Sequence, residues 1–428
     1  MNDRTRSSRY RSYVLAILAL VYFFYLVDRS ALIVTQELIR EEFNLSDTAM
    51  GLLTGTLYGV AYALAGIPIG WAVDRVNRRN LLVGVLSVWS ALTVLSGACV
   101  SFWQLALARI GVGAAESGGA PAALSILSDL FPPERRGTVS SIFFAGAGIG
   151  GILSFVLGGY IAQHFGWRMV FVAFGLPGLV LALVVLFTVN EPARKSAVER
   201  PKQSVAGLLR ETWQTMRYPG LGSLYLATGI YMFSVAGVGT WTVPFFMRSF
   251  DIDLATIGLV MGLGAGVFGV LGQVGAGVAF DWARRFGPRG PLMVVVIGSV
   301  IHVAAVLVVL LSGNLVITIV ALCAMGATTT INAGPTNAAI SQIAPPAIHG
   351  TSFALYAVIS NVIGAGFGPA AVGILSDLLG SDGASLRTAM VIMALLQLIA
   401  VFAFLRASTV FARITTAADT ASPGQPAS

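Results

Sequence analysis

The sequence predicts an all-α membrane protein with twelve transmembrane helices in two six-helix bundles. Three observations carry this expectation. Of 428 residues, 56% are hydrophobic and 11% charged, whereas soluble domains hold roughly 45–50% apolar and about 25% charged residues. Apolar runs of about 20 residues, long enough to cross a bilayer, recur from end to end. One polar stretch, 190–220, divides those runs six and six.

The first run, 13–36, follows a basic segment, 1–12, carrying Arg4, Arg6, Arg9 and Arg11. It is too long for the apolar core of a cleavable signal and lacks a small-residue cleavage site, so it is expected to stay as the first span. Runs at 48–72, 81–100, 103–130, 138–163 and 168–189 complete a first bundle over 13–189. The polar stretch 190–220 is the natural linker. Runs at 221–248, 255–280, 291–312, 314–341, 350–379 and 386–407 form a second bundle over 221–407. The end, 408–428, finishes in small polar residues and is expected to be disordered. Strict polar–apolar alternation, the mark of a membrane barrel, is absent.

Charge sets the topology. Cations gather before the first span, between spans 2 and 3 (Arg75, Arg78, Arg79), between 4 and 5 (Arg135, Arg136), across the linker (Arg194, Lys195, Arg200, Lys202, Arg210, Arg217) and between 8 and 9 (Arg284, Arg285, Arg289). All of these loops fall on one face. The positive-inside rule makes that face cytoplasmic and places both termini there, in a cell inner membrane. Arg40, Arg168, Arg248 and Arg387 stand singly on the other side. The net charge of +7 therefore reflects topology, and nucleic acid is not an expected partner.

Several chemistries lack their residues. Cys99 and Cys323 lie in separate apolar runs, against a disulfide framework or thiolate metal site. Gly264-Ala-Gly266-Val-Phe-Gly269 fits a dinucleotide fingerprint but has no preceding strand. His164, His302 and His349 show no metalloprotease spacing, and neither a Walker lysine nor a serine elbow is present. No enzyme activity, cofactor or metal is expected.

An internal repeat supports the two halves. "SDLFPPERRG" at 128–137 and "SQIAPPAIHG" at 341–350 share Ser, Pro-Pro and Gly at a constant offset, 341 − 128 = 350 − 137 = 213. Proline ends one helix and glycine opens the next. "GWAVDRVNRR" at 70–79 echoes "GVAFDWARRF" at 277–286. Repeated halves that rock about a shared site are the architecture of secondary transporters.

Charges inside the spans then single out a site. Asp28 and Arg29 sit in "VYFFYLVDRSALIV", beside Tyr25, and the fourth span carries Arg109 and Glu116. The seven-residue spacing of the latter pair is close to two helical turns and puts both on one face, about 10 Å apart. Asp28 and Arg109 lie at matching depth, about 9–12 Å inside the outer boundary, so a contact between them is open. Each such charge costs roughly 2.5–3.5 kcal/mol to insert, so it tends to be paired, interior and functional. A different reading is that the Asp28–Arg29 pair pins the first helix while Arg29 reaches outward.

These residues resemble a family. Gly70-x-x-x-Asp74-Arg75-x-x-Arg78-Arg79, Arg109-x-x-x-Gly113 and the glycines of the fifth span (Gly150-Gly151, Gly158-Gly159) are similar to the signature motifs of the major facilitator superfamily. Asn77 departs from the usual glycine of that loop. "ARIGVGAAESGGAPAALSILSDLFPPERRG", "GWRMVFVAFGLPG", "VNEPAR" and the Asp28-Arg29 pair resemble the spinster-type branch, whose members move lysolipids and sphingosine phosphate. Organic-anion symporters of the same superfamily also carry an Asp-Arg pair in the first helix.

The resemblance implies a monomer with the major facilitator fold, in which Asp74, Arg75 and Arg78 close the cytoplasmic side. The alternative is a solvated charge cluster that only fixes topology. A buried carboxylate beside an arginine can exchange a proton as its partner moves, which suits Asp28 and Glu116 to proton coupling. A guanidinium keeps its charge and grips phosphate or carboxylate with a planar fork, which suits Arg29 and Arg109 to an anionic headgroup. The second half offers Tyr225, Tyr231, Asn332, Asn337, Tyr356 and Asn361 but no intramembrane carboxylate. With Tyr25, three of these (Tyr356, Asn332, Asn361) are the candidate substrate contacts; interhelical hydrogen bonding explains them equally well. The expected substrate is a lipid-like anion moved by alternating access with protons. Two rivals are a proton symporter of a small organic anion such as a sugar acid, and a scramblase or channel-like scaffold without alternating access.

Overall fold

The computed structural model describes residues 7–194, 205–345 and 348–421, so Lys195, Arg200, Lys202 and the repeat proline Pro346 lie outside the described residues. Among those described, every regular element is helical. Eleven helices are long and apolar enough to cross a membrane. In chain order the helices are α1 (Ser8–Glu42), α2 (Asp47–Val73), α3 (Arg78–Ser96), α4 (Phe102–Glu116), α5 (Gly119–Leu130), α6 (Arg136–Phe165) and α7 (Trp167–Thr188). They continue as α8 (Val205–Met216), α9 (Leu221–Ser249), α10 (Leu254–Phe286), α11 (Gly290–Leu311), α12 (Leu315–Thr329), α13 (Ala333–Ile343), α14 (His349–Leu379) and α15 (Gly383–Ala421).

The fourth span is α4 plus α5, of 15 and 12 residues, and so falls below the 18-residue length of an unbroken crossing. The break at Ser117 and Gly118 has a local cause: Pro121 offers no N–H to the Ser117 carbonyl, and its ring crowds that position. The tenth span repeats the device, with a turn at 330–332 ahead of Pro335. Three stretches adopt the wider π form, Leu52–Thr56, Val260–Gly266 and Ile359–Phe367. Polar side chains cap the helices: Asn77 accepts from Asn80 N, Ser101 from Gln104 N and Asp253 from Thr256 N. The bonds from Thr256 hold the Asp253 carboxyl below its usual range.

Two of the expected ranges gain detail and one needs correction. α1 begins at Ser8, inside the basic segment 1–12. The polar linker contains a helix of its own, α8. The expected disordered end, 408–428, is helical as far as Ala421, because α15 continues through "STVFARITTAADTA", which lacks Gly and Pro until Pro423.

Two compact units emerge. The first unit holds Met1–Glu199, Thr240–Leu263 and Pro369–Gly383; the second holds Arg200–Gly239, Gly264–Gly368 and Ala384–Ser428. Close backbone approaches help explain why two pieces of the second half join the first unit. A Cβ on Gly51 would lie 2.5 Å from the Pro369 carbonyl oxygen, and one on Gly159 would lie 2.6 Å from that of Leu254, so backbones touch there. Ion pairs described below add to this. The first unit's core packs Leu18, Leu86, Trp89, Val112, Ile126 and Phe143; the second packs Leu224, Tyr231, Val295, Ile340 and Phe404.

Candidate functional site

Three of the four intramembrane charges predicted in the first half, Arg29, Arg109 and Glu116, meet at one tyrosine. Asp28, Arg109 and Glu116 are buried, at 0%, 1% and 1% exposure, while Arg29 and Tyr25 are half-buried. Tyr58 of α2, two residues past the π turn Leu52–Thr56, stands at the centre. Its hydroxyl donates to Glu116 Oε2 at 2.5 Å and lies 3.4 Å from the Tyr25 hydroxyl. Arg29 Nη1 donates to Tyr25 Oη over 3.4 Å. The guanidinium carbons of Arg29 and Arg109 lie 5.0 and 5.5 Å from the Tyr58 ring centroid, both within cation–π range. Gly113 makes this possible: a Cβ there would sit 2.5 Å from the Tyr58 carbonyl oxygen, so α4 and α2 meet backbone to backbone.

The charges are neighbours without being paired. Among the described residues no ion pair within 4.0 Å links Asp28, Arg29, Arg109 and Glu116. Asp28 lies within the fields of Glu116 and Arg109 and beside the Trp89 indole. Yet both Asp28 carboxylate oxygens, Arg109 Nε and Nη1, Glu116 Oε1 and Trp89 Nε1 are buried with no hydrogen-bond partner among the described residues. Native interiors leave few such atoms, and each calls for an explanation. The expected Asp28–Arg109 contact is thus a shared field rather than a bond.

The other candidates fall elsewhere. In the second unit, Asn332 is fully buried with both amide atoms unpartnered. Asn361 is exposed and donates to Ala357 O at 3.0 Å within its own helix, and Tyr356 is half-buried. Tyr231 and Tyr225 donate to the carbonyls of Thr328 (2.7 Å) and Ser352 (3.2 Å), holding neighbouring helices together. Of the three loop residues, Asp74 and Arg75 are exposed, and Arg75 lies over the Trp71 ring at 4.1 Å. Arg78 is buried and bonds Asp129 (2.5 Å), Glu191 (2.7 Å) and the Pro192 carbonyl (2.8 Å), tying the ends of α3, α5 and α7 into one first-unit staple.

Sequence reasoning missed Tyr58, which looks like any aromatic in an apolar run. It also missed a second charged cluster. Arg248 sends Nε and Nη2 to the two oxygens of Glu37 (2.8 and 2.8 Å) and Nη1 and Nη2 to those of Asp47 (2.9 and 2.7 Å). Arg40 adds a 2.9 Å contact to Glu37, and Ser376 donates to Asp47 at 2.6 Å. Asp377 accepts from the backbone N–H groups of Asp47 (3.1 Å) and Thr48 (2.8 Å). Arg40 and Arg248 are therefore not solitary, and neither is Arg168, which clasps Glu42 at 2.6 and 2.7 Å. The available signal was the run of acids at Glu37, Glu41, Glu42 and Asp47 where a lone arginine was expected.

Known proteins resemble this chain in sequence and fold. The chain is 31% identical over 402 residues to an MFS-type efflux pump of Mycolicibacterium smegmatis, covering 93% of this chain and 92% of that one. It is 27% identical over 294 residues to a probable L-galactonate transporter of Escherichia coli, covering 66% and 64%. Its fold superposes on the crystal structure of a bacterial homolog to the human lysosomal transporter Spinster, in an inward-facing and unoccupied conformation. That likeness has a TM-score of 0.85 at 25% identity and covers 95% of this chain and 99% of that one. With the Major Facilitator Superfamily pattern matching residues 18–369, a helical membrane fold and buried charges at the heart of the first half, the chain belongs to the Major Facilitator Superfamily and is a multi-pass secondary transporter.

Proposed function

We propose that this transporter moves an anionic amphipath, a lysophospholipid or sphingoid phosphate, by alternating access coupled to protons. Arg29 and Arg109, with Tyr25, bind the anionic head; Asp28 and Glu116 carry the proton. The observation that carries this reading is the set of unpartnered buried atoms on Asp28, Arg109 and Glu116. Leaving such groups unsatisfied costs about 1–3 kcal/mol each, a cost that a bound anion and a carried proton relieve. Its likeness to the Spinster homolog supports the spinster-type resemblance from which the lipid-like cargo is taken. The reading places the chain as a monomer in the inner membrane with both termini cytoplasmic.

A second reading, a proton symporter of a sugar acid, draws on the likeness to the probable L-galactonate transporter. Guanidinium groups grip carboxylate and phosphodiester alike. Uptake into proteoliposomes with an imposed pH gradient separates the two. The lipid reading expects saturable movement of oleoyl-lysophosphatidylglycerol that falls at least tenfold in Asp28→Asn and Arg109→Gln. Uptake of galactonate with no movement of lysolipid would overturn it in favour of the second reading.

A further inference from the structure

We infer that Tyr58 is the positioning residue through which the proton on Glu116 controls how Arg29 and Arg109 hold an anion. This rests on the proposed function, in which Glu116 carries the proton and the arginines bind the head. Tyr58 is 5% exposed and is in contact with three of the site's functional groups: its hydroxyl donates to Glu116, and its ring faces both guanidiniums at 5.0 and 5.5 Å. Its backbone is held against Gly113, so the side chain is the part free to respond.

The chemistry follows from which partner donates. With Glu116 ionised, the short bond from the phenol is charge-assisted, and such bonds are roughly twice as strong as neutral ones. It fixes the ring where both arginines lean on its π face. When Glu116 takes a proton from a hydronium ion, one O–H bond forms on the carboxyl group, one breaks in the hydronium, and a water molecule is left. The charged acceptor is gone, the ring is released, and the two guanidiniums are free to turn to one anion. Release of the anion and return of the proton reverse the step.

Other groups that face Glu116 are Tyr22, Tyr25, Asp28 and Arg29 of α1, Tyr62 of α2 and Arg109 of its own helix α4. Tyr25 is bonded to the Tyr58 hydroxyl and belongs to the same chain of contacts; Tyr22, which lies in the field of Glu116 with no hydrogen bond to it or to Tyr58 among the described residues, is the natural control.

Binding of oleoyl-lysophosphatidylglycerol to the purified full chain, titrated between about pH 5 and 8, tests the inference. A phosphodiester keeps its charge across that range, so the pH dependence belongs to the protein. Binding is expected to tighten as pH falls. Glu116→Gln should abolish that dependence, Tyr58→Phe should move its midpoint up by about one pH unit because the ionised carboxylate loses a donor, and Tyr22→Phe should leave it in place. Should Tyr58→Phe not fold, 3-fluorotyrosine at position 58, a stronger donor of nearly the same shape, should move the midpoint down by about half a unit. A flat profile in Glu116→Gln with no midpoint change in either position-58 variant overturns the role of Tyr58 and leaves the proposed function standing. The same holds if Tyr22→Phe shifts the midpoint equally. Wild-type pH dependence in Glu116→Gln overturns the proton role of Glu116 and the inference with it.

Discussion

Two clusters of buried charge share the first compact unit and are built on opposite terms. Around Arg248, four bonds of 2.7–2.9 Å satisfy Glu37 and Asp47, and Arg40, Ser376 and Asp377 fill remaining valences. Around Tyr58, charges of equal number and opposite sign sit close together, yet both oxygens of Asp28, Nε and Nη1 of Arg109 and Oε1 of Glu116 are left without partners among the described residues. Burial alone therefore does not say what a charge is for; the degree of pairing does. The saturated cluster joins segments from residues 37 to 377 and serves the fold. The unsaturated one keeps its bonding capacity for something that arrives and leaves.

The sharpest way to break this contrast is at Arg248, whose side chain is 10% exposed between carboxylates at 2% and 0%. Removing one partner of a buried pair costs about 3–5 kcal/mol, because the other charge stays buried. Arg248→Ala is expected to lose that much in unfolding of the detergent-solubilised protein, and Arg248→Lys to recover only part of it, since one ammonium cannot bond two carboxylates as a planar fork does. A loss below about 1 kcal/mol would mean that this cluster is not the structural one.

The inner cluster should answer in the reverse sense. Replacing both members of a buried charge set by apolar residues of similar volume is often neutral or stabilising by about 1–4 kcal/mol. The double variant Asp28→Leu with Arg109→Met keeps the formal charge balanced and removes four unpartnered atoms. It is expected to unfold at a higher temperature than the parent while uptake disappears. A destabilised double variant would place this cluster alongside Arg248 as a fold device.

How much of this was legible in the sequence follows from the same distinction. Hydropathy gives the spans because lipid demands long apolar helices whatever their neighbours, and the four inner charges stand out because, apart from Asp129 at the end of its run, the first and fourth runs hold no other Asp, Glu, Lys or Arg. Tyr58 and Trp89 were invisible, since an aromatic in a span reads as packing until its hydroxyl or indole is seen against a carboxylate. The outer cluster was invisible for another reason: Arg248 and Glu37 are 211 residues apart, and a partner at that separation leaves no local pattern. The π turn that precedes Tyr58 and the break at Ser117 shift side chains by an amount that a 3.6-residue period does not reveal, although Pro121 marks the second. Composition misled at the end of the chain, where small polar residues continue a helix that began in an apolar run.

The smallest expected effect separates geometry from burial. Arg168 and Glu42 are joined by two bonds of 2.6 and 2.7 Å, and Trp167 Nε1 adds a third at 2.7 Å. In distance this matches the Arg248 cluster. Its side chains, however, are 40% and 42% exposed, so water and salt screen them, and exposed pairs contribute only about 0.2–1 kcal/mol. Glu42→Gln is expected to lower stability by no more than that, and the difference from the parent should shrink further in about 1 M salt, where the screening length falls to about 3 Å. The loss in Arg248→Ala, enclosed by protein, should hardly change between low and high salt. If Glu42→Gln costs as much as Arg248→Ala and resists salt, then bond geometry rather than burial sets the worth of a charge pair in this molecule, and the contrast between its two clusters must be drawn on that ground instead.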